Sequence, residues 1–111
     1  MFCPSGIDNN NAMRYYFYMI RSFADSDTEK VWNQQWTKQL PRETQQIAFR
    51  KLIMIHRSIT LNDLMTPPGN RLEKLTGNRE GQLSIRINKR YRICFTWHNS
   101  DAYDVEIVDY H

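Results

Sequence analysis

The chain has 111 residues, enough for a single domain with a modest core and too few for a multidomain architecture. Fifteen Lys and Arg side chains against twelve Asp and Glu leave a formal charge of +3. A mean hydropathy of −0.69, with no apolar run near the roughly 20 residues of a membrane span, excludes an integral helical membrane protein. No signal-peptide core with a cleavage site follows the start, so the expected compartment is the cytoplasm and no membrane partner is expected.

The charge is segregated. Residues 71–92 hold seven basic side chains against Glu73 and Glu80, a local excess larger than that of the whole chain. The final nineteen residues reverse it, with Asp101, Asp104, Glu106 and Asp109 and no Lys or Arg. Cys3 and Cys94 form no disulfide framework, and with His56, His98 and His111 they match no zinc spacing, so neither a metal nor a cofactor is expected.

Residues 1–14, rich in Asn, Ser and Gly, carry too little apolar surface to order themselves and are expected to be a flexible tail ahead of one domain over 15–111. The β-favouring run from Tyr15 to Phe23 predicts a first strand. Ser26-Asp27-Thr28-Glu29 has the form of a capping box, and Trp32, Trp36 and Leu40 at every fourth residue predict one apolar stripe along the helix that follows. Pro41 suits the first turn of a second helix, with Ala48, Leu52, Ile55 and Ile59 as its core stripe.

Thr66-Pro67-Pro68-Gly69-Asn70 cannot continue a helix, because each proline lacks a donor and pushes its predecessor out of the α region. Strand patterns follow. Arg71–Leu75 is short, and Gly77–Gly81 is a turn without the context of a nucleotide-binding loop. Gln82–Ile87 alternates with Leu83, Ile85 and Ile87 on one face and Ser84 and Arg86 on the other. Tyr91–His98 sets Tyr91, Ile93, Phe95 and Trp97 against Arg92, Cys94, Thr96 and His98, and Ala102–Tyr110 returns with Val105, Ile107 and Asp109 on one face. The expected class is α+β: an N-terminal strand, a two-helix hairpin, then an antiparallel meander of three to four strands.

Arg71, Lys74, Arg79, Arg86, Lys89, Arg90 and Arg92 fall on adjoining strands and turns, and those pointing away from the apolar face would make a cationic surface suited to phosphates. The bland alternative is a solvated face whose charges oppose edge aggregation. The chain closes on Asp109-Tyr110-His111, residue types that transfer protons or hold a group that does, next to the predicted strand of Arg92. His56 beside the Leu52/Ile55 stripe reads as a partly buried spacer, and His98 as a solvated turn residue.

Met19-Ile20-Arg21-Ser22-Phe23, Gly77-Asn78-Arg79-Glu80-Gly81, Tyr91-Arg92-Ile93-Cys94-Phe95 and the terminal Asp109-Tyr110-His111 resemble the HigB toxins of bacterial toxin–antitoxin modules, members of the RelE/ParE superfamily. The likeness runs in order over residues 19–111, which leaves Met1, Met13 and Met19 as candidate starts. It implies a RelE-like fold and a metal-independent endoribonuclease that cuts mRNA on the translating ribosome. It also implies silencing by a helix-turn-helix antitoxin of the HigA type, with DNA met only through that antitoxin. By position, Asp109, Tyr110 and His111 match the family's catalytic end, and Arg92 the arginine near the scissile phosphate. Glu73 and Thr76 depart from it, standing where some members carry His and Lys.

Metal-free RNA cleavage needs a base for the 2′-hydroxyl proton, a cation for the phosphorane and an acid for the 5′-oxygen. The expected roles are His111 as principal acid/base, Asp109 orienting it or the substrate, Tyr110 stacking or donating its hydroxyl, and Arg92 with Arg79 neutralising the phosphate. Arg71, Lys74, Arg86, Lys89 and Arg90 complete the expected RNA-binding set. Two other readings stand beside this one: a ParE-like toxin that binds DNA gyrase without catalysis, and a plain basic RNA-binding module.

Overall fold

The computed structural model describes residues 19–110. The expected tail over 1–14, the first four residues of the predicted strand and His111 lie outside them.

Helix α1, Ser26–Trp32, starts one residue earlier than the capping-box reading implies. Asp25 is its cap, accepting the Thr28 N–H at 3.2 Å, while Ser26 is already helical. The stripe of Trp32, Trp36 and Leu40 is corrected as well. The helix stops at Trp32, Gln34 takes a positive φ of 59°, and Trp36 ends 57% exposed although Leu40 is buried. The departing chain is held by polar ties: the Gln45 amide donates to the Thr37 and Leu40 carbonyls at 2.9 and 3.0 Å, and the Thr37 hydroxyl donates to Asp27 at 2.7 Å. A fourfold spacing cannot sense such ties.

Helix α2, Arg42–Arg57, follows Pro41 as its cap and buries Ala48, Leu52 and Ile55, whereas Ile59 lies beyond its end and is exposed. A third helix, α3 at Leu61–Met65, is absent from the expected hairpin. Its capping box joins Thr60 and Asp63, and the proline pair then ends it.

The meander is β1 Glu73–Lys74, β2 Leu83–Arg86, β3 Tyr91–His98 and β4 Asp101–Asp109, antiparallel and in spatial order β1-β2-β3-β4. One face carries Ile85, Ile93, Phe95 and Val105, all fully buried with Ala48 and Leu52 of α2 and Leu64 of α3 in one core. A bulge interrupts β4. Cys94 faces Glu106 and Thr96 faces Tyr103, so Phe95 alone spans Asp104 and Val105, and Asp104 adopts φ 53°. The extra residue puts both Ala102 and Val105 in the core, where strict alternation would separate them.

The same bulge reshapes the expected first strand. Met19–Ala24 runs parallel to β4, but its ladder reduces to two isolated bridges, Ile20 to Ala102 and Phe23 to Val105, one on either side of Asp104. Arg21 N–H donates to Ala102 O at 2.7 Å and Ala24 N–H to Val105 O at 2.9 Å. Side chains complete the attachment: the Ile20 N–H donates to His56 Nδ1 at 3.2 Å, and Arg21 pairs with Asp101 at 3.2 Å.

Candidate functional site

The face of the sheet turned away from the helices is where the basic residues were expected to gather. Cross-strand register sets its rows: Glu73, Ser84, Cys94 and Glu106 stand abreast, and Arg86, Arg92 and Val108 form the next row. Alternation along the end of β4 puts Tyr110 on this face too. Its N–H donates to the Arg90 carbonyl at 2.6 Å, so the chain stays on the sheet to residue 110, with Tyr110 42% exposed.

Arg92 is the centre of the face. Its Nε donates to Ser84 Oγ at 2.7 Å, its Nη2 donates to the carbonyls of Arg71 at 2.6 Å and Ser84 at 3.3 Å, and Glu73 Oε1 lies 3.6 Å from Nη2. The side chain is only 11% exposed. A guanidinium has five donors and no acceptor, so this set of oxygens fixes its plane. Local backbone makes this possible. After Asn70, whose side chain is tied to the Leu64 carbonyl at 3.1 Å, Arg71 takes the left-handed region at φ 45° and delivers its carbonyl to Arg92. A bulky residue seldom adopts that conformation.

The other expected residues fall into two groups. Arg79 joins the face, donating to Gln82 at 3.0 Å and to Glu106 at 3.2 Å, and Arg86 joins it with its Nε on the Asn88 carbonyl at 3.0 Å. Lys74 is register partner to Leu83 and so belongs to the opposite face, and Lys89 is exposed in the β2–β3 hairpin. Asp109 pairs across the ladder with Tyr91, on the helix side. There it receives three hydrogen bonds from Arg90, at 3.1 Å to Oδ1 and at 3.0 and 2.7 Å to Oδ2, while that guanidinium sits 5.4 Å from the Tyr91 ring. With Asp25, Asp27 and Gln39 this pair lines a separate polar cleft of about 290 Å³. Arg92 and Asp109 therefore stand on opposite sides of the sheet, and His111 is outside the described residues.

Ser84 was not singled out by sequence reasoning, and Glu73 only as a departure from the family pattern. Ser84 read as a solvent-side residue between Leu83 and Ile85, yet it is fully buried and holds Arg92. The signal lay in its place one row from Arg92 on the same face, which depends on where the hairpin turns. Cys94, buried in the same row, has its pKa raised chiefly by loss of solvation, which keeps it a thiol. Among the described residues no group of three or more His, Cys, Asp or Glu could hold a metal ion. His56, expected as a partly buried spacer, is buried and accepts the Ile20 N–H, with its pKa pushed down to about 4 by burial first and by Arg57 and Arg21 second. Among the described residues no helix is long and apolar enough to cross a membrane.

Residues 21–111 match the family model described as the RelE-like toxin of the type II toxin–antitoxin system HigB. Toxin HigB-1 of Vibrio cholerae is 39% identical over 80 residues, covering 71% of this chain and 84% of its own length. An uncharacterized protein of Haemophilus influenzae is 33% identical over 83% of this chain and 86% of its own. Endoribonuclease HigB of Proteus vulgaris is 29% identical over 84% of this chain and all of its own. Among solved structures, a histidine-to-glutamine mutant of YafQ from E. coli shares the fold, with a TM-score of 0.53, 11% identity, and coverage of 83% of this chain and 92% of that one. The chain belongs to the HigB-like family of RelE-like toxins of type II toxin–antitoxin systems.

Proposed function

We propose that this toxin is a metal-independent endoribonuclease that inhibits translation by cutting mRNA on the ribosome, in the cytoplasm. The observation that carries the reading is Arg92: a charged fork held rigid by Ser84 and the Arg71 carbonyl, on a sheet face rimmed by Arg79 and Arg86, beside the strand that leads into Tyr110 and His111. A preorganised cation of this kind stabilises charge that develops on a phosphorane without having to reorganise during the reaction. The curated relative from Proteus vulgaris, an endoribonuclease by name, supports the same reading.

In this scheme the scissile phosphate meets Arg92, with Arg79 and Arg86 neutralising neighbouring phosphates and Arg71 beside them, while Lys74, on the opposite face, takes no part. Lys89 extends the cationic rim at the hairpin, and Arg90 is committed to Asp109 on the helix side. Tyr110 offers a ring on which a base stacks. His111 protonates the 5′-oxygen as it leaves. Asp109 acts from the other side of β4: its pairing with Arg90 holds the end of the strand, and so orients His111 through the backbone. A type II toxin has an antitoxin partner, which we assign to the HigA helix-turn-helix type, DNA being met only through it.

The test is a reconstituted translation reaction read by primer extension. The wild-type chain is expected to cut mRNA, and Arg92→Ala and His111→Ala to lose about 10²–10³ in rate. Undiminished cutting by both variants overturns the site. Growth arrest with DNA damage and no mRNA cuts would instead favour a gyrase-binding toxin.

A further inference from the structure

We propose that Asn70 is a positioning residue for the cleavage step: it anchors the loop that presents the Arg71 carbonyl, and that carbonyl sets the plane of the Arg92 guanidinium. The inference rests on the endoribonuclease reading above. Its foundation is a contrast between two neighbours in the chain. Asn70 is fully buried with both ends of its amide bonded, whereas Arg71 is exposed and its side chain makes no hydrogen bond among the described residues. The backbone conformation that Arg92 depends on is therefore held from outside Arg71.

The Asn70 amide ties the loop to two helices. Its Nδ2 donates to the Leu64 carbonyl of α3 at 3.1 Å and lies 3.7 Å from Met54 Sδ of α2, and its Oδ1 accepts from Lys51 Nζ of α2. Its backbone N–H donates to the Pro67 carbonyl at 2.9 Å. A buried amide holds to such a set, because each lost partner leaves a polar group without water, and so it keeps one orientation. Arg71 then takes φ 45° and ψ 55°, a region unfavourable for a residue with a side chain and retained only where the surroundings over-determine it. Asn70 before it, and Leu72 packed against the core after it, impose that constraint.

Arg92 has partners of two origins. The Ser84 hydroxyl and carbonyl, at 2.7 and 3.3 Å, belong to the adjoining strand and move with it. The Arg71 carbonyl comes from outside the β2–β3 pair and, at 2.6 Å, lies closer to Nη2 than the Ser84 carbonyl or Glu73 does. With Nε on Ser84 and Nη2 on Arg71 the fork is pinned at two points, and without the second it turns about the first. A misplacement of about 1 Å far from the chemistry is enough to slow a reaction severely. A buried amide that touches no substrate thereby governs the rate through one carbonyl.

The experiment measures kcat and KM for cleavage of ribosome-bound mRNA, per folded molecule, for Asn70→Ala and Lys51→Met, each made in the wild-type chain and in Arg92→Lys. We expect Asn70→Ala to lower kcat by about 10-fold to 10²-fold with KM nearly unchanged, and Lys51→Met, which strips the donor from Asn70 Oδ1, to lower it less. In Arg92→Lys, whose ammonium has no plane to set, both losses should shrink to less than about two-fold. A wild-type kcat in Asn70→Ala overturns the inference. Equal losses in the two backgrounds also overturn it, making Asn70 a residue of stability alone, and either result leaves the endoribonuclease reading intact. If Asn70→Ala does not fold, Lys51→Met decides, and an unchanged kcat there overturns the inference. No cutting by the wild-type chain would remove the reading and the inference together.

Discussion

Ile85, Ile93, Phe95 and Val105 on one face of the sheet, and Ser84 and Cys94 on the other, are all fully buried, but different forces hold them. The first set packs against α2 and α3 and is stabilised by removing apolar surface from water. The second lies among hydrogen-bonded groups, with Arg92 fixed by one hydroxyl and two carbonyls. The apolar face tolerates no cavity but asks for no particular atoms. The polar face depends on individual oxygens and spends its order on orienting one cation. The comparison teaches where substitutions should cost folding and where they should cost catalysis.

The largest expected effect breaks the apolar side. Phe95→Ala should cost about 3–5 kcal/mol of stability, because the void opened opposite the β4 bulge has little means of closing. Urea unfolding measures it, and the rate of mRNA cutting per folded molecule should stay within a few-fold of wild type.

Next comes the polar group on the apolar side. The His56 pKa is about 4 when folded, below the ordinary 6.5 of the unfolded chain, so the unfolded state binds more protons between those values. Stability from this group is complete above about pH 6.5, falls as pH drops toward 4, and loses no more below it; the full loss is about 3 kcal/mol. Protonation also removes the acceptor of the Ile20 N–H, so Met19–Ala24 should loosen first. Hydrogen exchange at Ile20 between pH 7 and pH 4.5, with His56→Gln as the variant lacking this pH dependence, checks both parts.

Ser84→Ala sharpens the comparison on the polar side. It removes one acceptor from Arg92 and should cost about 1–2 kcal/mol in unfolding. Cutting should fall further than that loss of stability explains, because the guanidinium gains freedom to turn. Smallest is Lys89→Ala, at an exposed hairpin position on neither packed face. Unfolding should be unchanged, while the salt dependence of RNA binding should lose about one unit of slope, as for a single phosphate contact.

The contrast also explains what the amino-acid order reveals. Alternation of apolar residues in Leu83–Ile87 and Tyr91–His98 exposes the apolar face directly, and the meander can be read from it, but the burial of Ser84 and Cys94 on the other face breaks that period. The end of α1 is hidden: Trp32, Trp36 and Leu40 keep helical spacing, but the turn at Gln34 and the ties of Gln45 to Thr37 and Leu40 arise only in the folded chain. Helix α3 was within reach, because Thr60 and Asp63 carry a capping box ahead of Leu61 and Leu64. The meeting of Glu73 with Arg92 was not, as it depends on the register fixed through Gly77–Arg79 and on the left-handed turn at Arg71. The division of the basic residues between faces has the same origin. Lys74 and Arg90 sit among cationic neighbours in the chain yet fall away from Arg92 once register and hairpin are set.

The most direct test of the site is a structure of the toxin on a ribosome carrying mRNA blocked by a 2′-O-methyl group at the cleavage position. The account predicts the scissile phosphate on the Arg92 guanidinium and a base against Tyr110. A message held along the helix side by Arg90, with Arg92 out of its reach, would contradict it.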